Sequence, residues 1–293
     1  MQDQKASHSA QYVAFCRALE TAEQPTQRLF SDPFAFALMS GSYKMLARMT
    51  HLPIFGKLVH ACLDLGWPYT RSSAVVRTRA IDDLVRDAIR GGARQLVLLG
   101  AGLDSRGCRL DEAGKIAVFE VDHPATQRVK KERLHAFAGT LPTNIRYVAV
   151  DFERDALEAK LIESSYDPGV RAVVVWEGVI DYLTESAVKS TLAALARLLA
   201  PSSLLIFTYT HKGALDGSTA FPGARRWRYW SRASSERFIF GFDPDTLAEE
   251  LNPLSFLLQS DASTEEIARC YSLPAGRREP GNRAYRVATA THS

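Results

Sequence analysis

Gln95–Asp122, QLVLLGAGLDSRGCRLDEAGKIAVFEVD, holds two apolar runs joined by a glycine turn. Leu96 to Leu99 is a short apolar run bounded by polar chain, the pattern of a strand buried on both faces of a parallel sheet. Gly100-Ala101-Gly102 follows at once, and a second run, Ile116 to Val121, stops at an acid, Asp122. Strand, glycine turn, crossover and acid-tipped strand make a half-site for a nucleoside. Glycine lets the backbone approach a ligand that a Cβ would push away, and the acid can accept two hydrogen bonds from a ribose diol.

Two cofactor classes use this arrangement. Dinucleotide enzymes carry G-x-G-x-x-G, with a helix N-terminus under a pyrophosphate. Here the third glycine position is Ser105, so that fingerprint is incomplete. S-adenosylmethionine has no phosphate and needs no third glycine. The turn alone leaves both open, and its neighbours decide.

Downstream, the alternation continues. Pro124 opens a helix over 125–137, whose basic face (Arg128, Lys130, Lys131, Arg133) reads as solvated. Ile145–Val150 is a third strand, tipped by Asp151 and followed by Phe152. A helix over 155–164 leads to a fourth strand, Ala172–Val175, ending Trp176-Glu177-Gly178. Thr184 caps a helix with Val188, Leu192, Leu195 and Leu199 inward, stopped by Pro201, and Leu204–Tyr209 is a fifth strand. Such alternation predicts a doubly wound parallel sheet whose ligand sits at the strands' carboxyl ends. Gly100, Asp122, Asp151 and Glu177 all fall there. A lone acid at a strand end is as often a helix N-cap; ligand-compatible residues at four successive strand ends are harder to explain that way.

Upstream, residues 1 to about 70 show no strand pattern and predict a helical cap over the open end of the sheet. It has a helical run at Tyr12–Leu19, a helix start at Asp32-Pro33, and breaks at His51-Leu52-Pro53 and Gly66-Trp67-Pro68. Ser72/Ser73 read as the cap of the next helix, with Ile81, Leu84, Val85, Ala88 and Ile89 on one face and Gly91-Gly92 ending it. Arg71, Arg77 and Arg79 stand near its start, where the macrodipole disfavours cations. They are either solvated or face an anion such as a ligand carboxylate. Beyond the fifth strand, 211–237 reads as irregular, with Trp227, Tyr229 and Trp230 among arginines. This is weak support for nucleic-acid binding and better support for a lid or wall over an apolar substrate. A helix over 245–251 and two late strands, Ser255–Ser260 and Ala284–Ala290, predict a terminal antiparallel pair at the sheet edge.

The totals exclude several classes. With 293 residues, 46% hydrophobic and 24% charged, the composition is that of a globular domain with a substantial core. A net charge of +3 without a long lysine/arginine run argues against a nucleic-acid groove. The N-terminus lacks an apolar signal core, and no window of about 18 uninterrupted apolar residues predicts a membrane span. Cys16, Cys62, Cys108 and Cys270 lack metal-ligand spacing, which fits a reduced, cytoplasmic setting and no metal.

Arg77-Thr-Arg-Ala-Ile-Asp-Asp, LLGAGLDSR, FEVDHP, Val150-Asp-Phe152 and EGVIDYLT together resemble the leucine carboxyl methyltransferase family. They look closest to its bacterial branch, which includes polyketide-biosynthesis O-methyltransferases. The resemblance runs from about Phe15 to Tyr209 and is strongest over Arg77–Thr184. It implies a class I, S-adenosylmethionine-dependent methyltransferase: a Rossmann-like α/β sheet of seven strands, the last antiparallel, with an N-terminal helical cap. On this basis the chain is expected to be a single domain: cap 1–70, cofactor core 71–210, lid 211–245, terminal helix and strand pair 246–293.

The same resemblance implies residue roles. Arg77 would bind the methionyl carboxylate, helped by a cap cation for which Arg17 is best placed. Gly100 and Gly102 would line the methionyl and ribose path, and Asp122 would hold the ribose hydroxyls. Asp151 would reach the adenine amino group beside Phe152, and Glu177 would lie near the amine and sulfonium. Tyr182 would position the acceptor, or be a core tyrosine. A small-molecule carboxylate would need no general base, whereas a hydroxyl would benefit from one; His123, His211 and Tyr209 are the candidates by position. The competing expectations are a nicotinamide-dependent oxidoreductase and a non-catalytic partner protein keeping the fold.

Overall fold

The computed structural model describes residues 7–50, 69–152, 155–233, 236–273 and 277–293, apart from the side chains at 227 and 230–233. Its frame is one seven-stranded sheet: β1 (Gln95–Leu99), β2 (Ala117–Asp122), β3 (Ile145–Ala149), β4 (Ala172–Trp176), β5 (Leu204–Thr210), β6 (Phe256–Ser263) and β7 (Tyr285–His292). The spatial order is β3-β2-β1-β4-β5-β7-β6. β1 to β5 pair in parallel, and β7 lies antiparallel to both β5 and β6. The chain reverses direction of travel across the sheet at β1 and β4, so their carboxyl ends open a crevice.

The strand sequences dictate a two-sided core. Side chains alternate faces along a strand, so Leu96 and Leu98 pack with Ile81, Val85 and Ile89 of the helix Thr70–Arg90. Val97 and Leu99 pack on the other face with Leu157 and Leu161, and with Val188, Leu192 and Leu195 of the helix Glu185–Leu198. Every residue of β1 and β4 is buried, which is why Leu96–Leu99 and Ala172–Trp176 read as unbroken apolar runs. Thr184 caps Glu185–Leu198 by accepting the Ala187 N–H.

Several local expectations are corrected. Ser72 and Ser73 are not caps; both are buried inside the first turn of Thr70–Arg90. Ser72 accepts the Gly281 N–H, and Ser73 accepts from the Thr264 hydroxyl, so this helix end is covered by the chain before β7. Asp32 does accept the Phe34 and Ala35 N–H groups, but the helix it starts, Ala35–Leu38, is a single turn. The helix Pro124–Ala138 is not uniformly solvated on its basic side. Lys130 is buried against Glu120 of β2 at 2.7 Å, and Arg133 donates to the Leu38 carbonyl. Segment 211–233 contains two helices, Lys212–Asp216 and Ala224–Ala233, and a capped helix, Thr264–Arg269, separates β6 from β7.

The breaks at 51–53 and 66–68, Cys62, and the side chains of Trp227 and Trp230 lie outside the described residues. Among the described residues Cys16, Cys108 and Cys270 are free thiols, no group of three or more metal-ligating side chains forms, and no helix is long and apolar enough to cross a membrane.

Candidate active site

A cavity of about 1140 Å³ opens at the carboxyl ends of β1, β2, β4 and β5, beneath the helix His8–Ala22. Ligand pockets run to about 300–1,000 Å³, so this cavity stands at the large end of that range. Arg17, Arg77, Gly100, Gly102, Asp122, Phe152, Glu177 and Tyr182 all line it. Asp151 does not, although it stands one residue before Phe152; its N–H donates to the Asp155 carboxylate.

The β1–β2 side is organised by the glycine turn. Gly100 has φ 63° and Gly102 φ 43°. A Cβ on Gly100 would overlap Val179, so the loop after β4 by itself requires a glycine here. Gly102 is different: a Cβ there would make only ordinary contacts, with Ala10 and the Gly100 carbonyl, each at 3.7 Å. The Gly102 N–H donates to Asp122 Oδ2, and the His123 N–H donates to Oδ1 at 2.6 Å. Burial pushes the Asp122 carboxyl above its ordinary range, partly offset by those two amides. The helix that follows is capped by His123, and Ala156 stands at the start of Leu157–Glu163. Neither Asp122 nor Asp151 is therefore an N-cap.

The β4 side is organised by charge. Arg77 Nε donates to Glu177 Oε1 at 2.8 Å, and Arg106 Nη1 donates to Glu177 Oε2 at 2.6 Å. The Arg77 guanidinium also lies 4.8 Å from the Tyr285 ring centroid, within cation–π range. Burial opposes ionisation of Glu177, but Arg106 and Arg77 outweigh it and hold the carboxyl below its usual range.

Behind this pair runs a buried network that sequence reasoning missed. Arg106 bonds Asp82 (2.8 Å) and Asp104 (2.5 Å), and Arg109 grips both oxygens of Asp82 at 2.6 Å. Ser105 donates to Asp32 at 2.6 Å, and Arg17 pairs with Asp32 at 3.2 Å while donating to the Leu103 carbonyl. The signal available was Asp82 beside the apolar stripe of Ile81 and Val85, and Asp104-Ser105-Arg106 set between two core strands. Ser105, where a dinucleotide fold needs its third glycine, is fully buried against an acid. That is the wrong charge for a pyrophosphate.

On the far wall, Tyr182 sits in the turn Ile180–Tyr182 and meets the Phe238 ring edge-on at 4.8 Å. His123, His211 and Tyr209 do not line the cavity. His211 accepts the Gly213 N–H, and Tyr209 donates to Asp261. Asp181, which sequence reasoning passed over, does line it.

Comparison with known proteins identifies the family and the fold. The model of the leucine carboxyl methyltransferase family matches residues 10–196. A Mycolicibacterium smegmatis protein named "Putative S-adenosyl-L-methionine-dependent methyltransferase" is 36% identical over 206 residues, 67% of this chain and 64% of that protein. A Streptomyces avermitilis protein similarly named is 35% identical over 216 residues, 72% of each. The chain thus spans roughly two thirds of these relatives' length. The crystal structure of a DUF574 family protein from S. avermitilis superposes with TM-score 0.60 at 14% identity, covering 99% of both chains. A Thermobifida fusca structure described as a "putative methyltransferase" gives 0.61 at 18%, covering 89% and 93%. At these identities the structures speak to the fold alone. The chain belongs to the leucine carboxyl methyltransferase family of S-adenosylmethionine-dependent methyltransferases.

Proposed function

We propose that this chain transfers a methyl group from S-adenosylmethionine to an oxygen, carboxylate or hydroxyl, of a small metabolite. The observation that supports this most is convergence: Arg77, Gly102, Asp122, Phe152 and Glu177, drawn from five separate parts of the chain, border one cavity. The bound cofactor supplies a sulfonium methyl open to in-line displacement. Among the described residues, hydrogen bonds engage only Nε of Arg77, which leaves its Nη groups to take a ligand carboxylate in the forked geometry that guanidinium favours. We assign Arg17 as the second cation there, from the cap side. Each oxygen of Asp122 accepts one backbone N–H and keeps lone-pair capacity for a ribose hydroxyl. The missing Cβ at Gly102, which lines the cavity, lets the ribose approach the backbone. Phe152 offers a ring face to the adenine. Asp151 is assigned to the adenine amino group and has to turn toward the cavity to serve it. Glu177, kept ionised by two guanidinia, would face the cationic end of the cofactor.

The volume beyond a cofactor's needs is where we place the acceptor, between Tyr182 and Phe238 on one wall and the 211–245 segment as a lid. The remaining work is alignment and exclusion of water. We read the chain as one catalytic domain acting in the cytoplasm on a small molecule, without nucleic acid. The test is incubation with S-adenosylmethionine and a mixed panel of small phenols, alcohols, carboxylic acids and amines, scored by mass spectrometry. Methylated oxygen products support the proposal, and alkaline hydrolysis separates esters from ethers. Products methylated only on nitrogen would overturn it.

A further inference from the structure

Five carboxylates line the cavity: Asp104, Asp122, Glu177, Asp181 and Glu236. Four are committed on both oxygens. Asp104 accepts from the backbone and side chain of Arg106, Asp122 from Gly102 and His123, and Glu177 from Arg77 and Arg106. Glu236 takes the His8 and Ser9 N–H groups and the Ser9 hydroxyl at the start of the first helix. Asp181 differs. It is 1% exposed, its Oδ1 accepts the Thr210 N–H at 2.8 Å, and its buried Oδ2 makes no well-formed hydrogen bond, with only the Thr210 and Tyr285 hydroxyls beside the carboxyl. A buried, unsatisfied carboxylate oxygen is costly and persists where it has work to do.

Its position is fixed from three sides. The backbone carbonyl of Asp181 accepts the Ile239 N–H at 2.7 Å, its side chain is tied to the end of β5, and its neighbour Tyr182 packs on Phe238. These contacts put it on the acceptor wall, on the same loop as Glu177. We propose that Asp181 is the acceptor-side general base and that the acceptor is a hydroxyl-bearing molecule, not a carboxylate; this rests on the oxygen-methylation reading above. In the step, the acceptor O–H bond breaks with its proton passing to Asp181 Oδ2. The oxygen forms its bond to the methyl carbon as the sulfur–methyl bond breaks, and the pair stays on sulfur as neutral S-adenosylhomocysteine. Asp181 then returns the proton to water.

The surroundings suit that duty. Burial pushes the Asp181 carboxyl up to about 6, with the Thr210 contacts, the Arg77 charge and the Tyr285 hydroxyl acting against it. Tyr285 itself is hydrogen-bonded to Thr208 at 2.9 Å. The other ionisable groups of the cavity wall include Arg77 from the helix Thr70–Arg90, Glu177 and Tyr182 from the same loop as Asp181, and Glu236 and Arg237. A base with a pKa just below neutral is ionised at working pH yet basic enough to draw a proton.

Asp181→Asn keeps the shape and the acceptor for the Thr210 N–H while removing the base. The experiment compares it with wild type on 4-methylumbelliferone (hydroxyl) and 4-methylbenzoate (carboxylate), alongside S-adenosylhomocysteine affinity, thermal midpoint and an infrared titration of the carboxyl bands. The expected result is wild-type turnover of the hydroxyl probe rising through pH about 6 and a drop of roughly 10²–10⁴-fold in the variant. Product-cofactor affinity should change less than about threefold on this scale, and one carboxyl titrating near pH 6 should vanish. A variant that methylates the hydroxyl probe as fast as wild type overturns the proposal, as does wild-type turnover of the carboxylate alone. If neither probe turns over, the oxygen-acceptor reading is what fails. The infrared arm then decides for Asp181: a missing band upholds a carboxyl titrating in the working range, and unchanged bands overturn it.

Discussion

Arg77 and Glu177, one hundred positions apart in the sequence, meet at 2.8 Å, and Arg106 holds the other oxygen of the same carboxylate at 2.6 Å. One anion therefore bridges two buried cations at the cavity wall. Glu177→Gln leaves Arg77 without a carboxylate partner in a low-dielectric setting, whereas Arg106 keeps Asp82 and Asp104. It should cost about 3–5 kcal/mol of unfolding free energy, read from urea denaturation. The pH sign follows from the depressed carboxyl: this stabilisation is present above the ordinary glutamate range and is lost as pH falls through the lower folded value. Wild-type and variant stabilities should accordingly converge in acid. Equal stability at neutral pH would show that the pair contributes nothing.

Gly100 and Val179 form a steric couple. A Cβ on Gly100 would overlap Val179, and the φ of 63° disfavours any side chain. Gly100→Ala should cost roughly 2–4 kcal/mol, combining backbone strain with overpacking. Val179→Ala in the same chain should recover the overpacking share, and a double-mutant cycle measures that coupling. Strictly additive effects would mean that only the backbone conformation matters at this turn.

Asp122 carries a carboxyl raised by burial. If its ionised form holds the ribose, affinity for S-adenosylhomocysteine must fall as pH drops into the range just above that of ordinary aspartates. Asp122→Asn should bind more weakly and lose this pH dependence. Parallel profiles for wild type and variant in a fluorescence titration would separate Asp122 from the ligand.

Asp181 makes an opposite contribution to stability. Its folded pKa, about 6, lies above the unfolded value of 3.8, so between them the folded state holds the extra proton. Stability therefore decreases as pH rises through that window, by up to about 1.4 kcal/mol per pH unit from this group. Unfolding free energies of Asp181→Asn minus wild type should grow more positive from pH 4 to 6 and level off above. A flat difference would place the Asp181 carboxyl in an ordinary, solvated setting.

The sheet was legible because parallel core strands leave a simple mark. Leu96–Leu99 and Ala172–Val175 are buried on both faces, so no polar residue interrupts them. The acids Asp122 and Glu177 were legible for a related reason, as charges standing where such runs end. Asp82, Arg106 and Arg109 were not, because a charge on a helix or loop reads as solvated unless its partner is known. Those partners lie 24 and 27 residues away. Ser72 and Ser73 misled in the same way: each has the chemistry of a cap, yet chain some 190 to 210 residues downstream covers the helix start. Asp181 was overshadowed by Tyr182, and only the pairing of the other carboxylates makes its spare oxygen visible.

Isothermal titration of S-adenosylhomocysteine into wild type, Arg77→Ala and Asp122→Ala tests the site most directly. Binding to wild type should be clear, and each variant should lose about 1–3 kcal/mol, or roughly 5- to 150-fold in Kd, through lost charge-assisted hydrogen bonds. No binding to well-folded wild type, or wild-type affinity in both variants, would contradict the account.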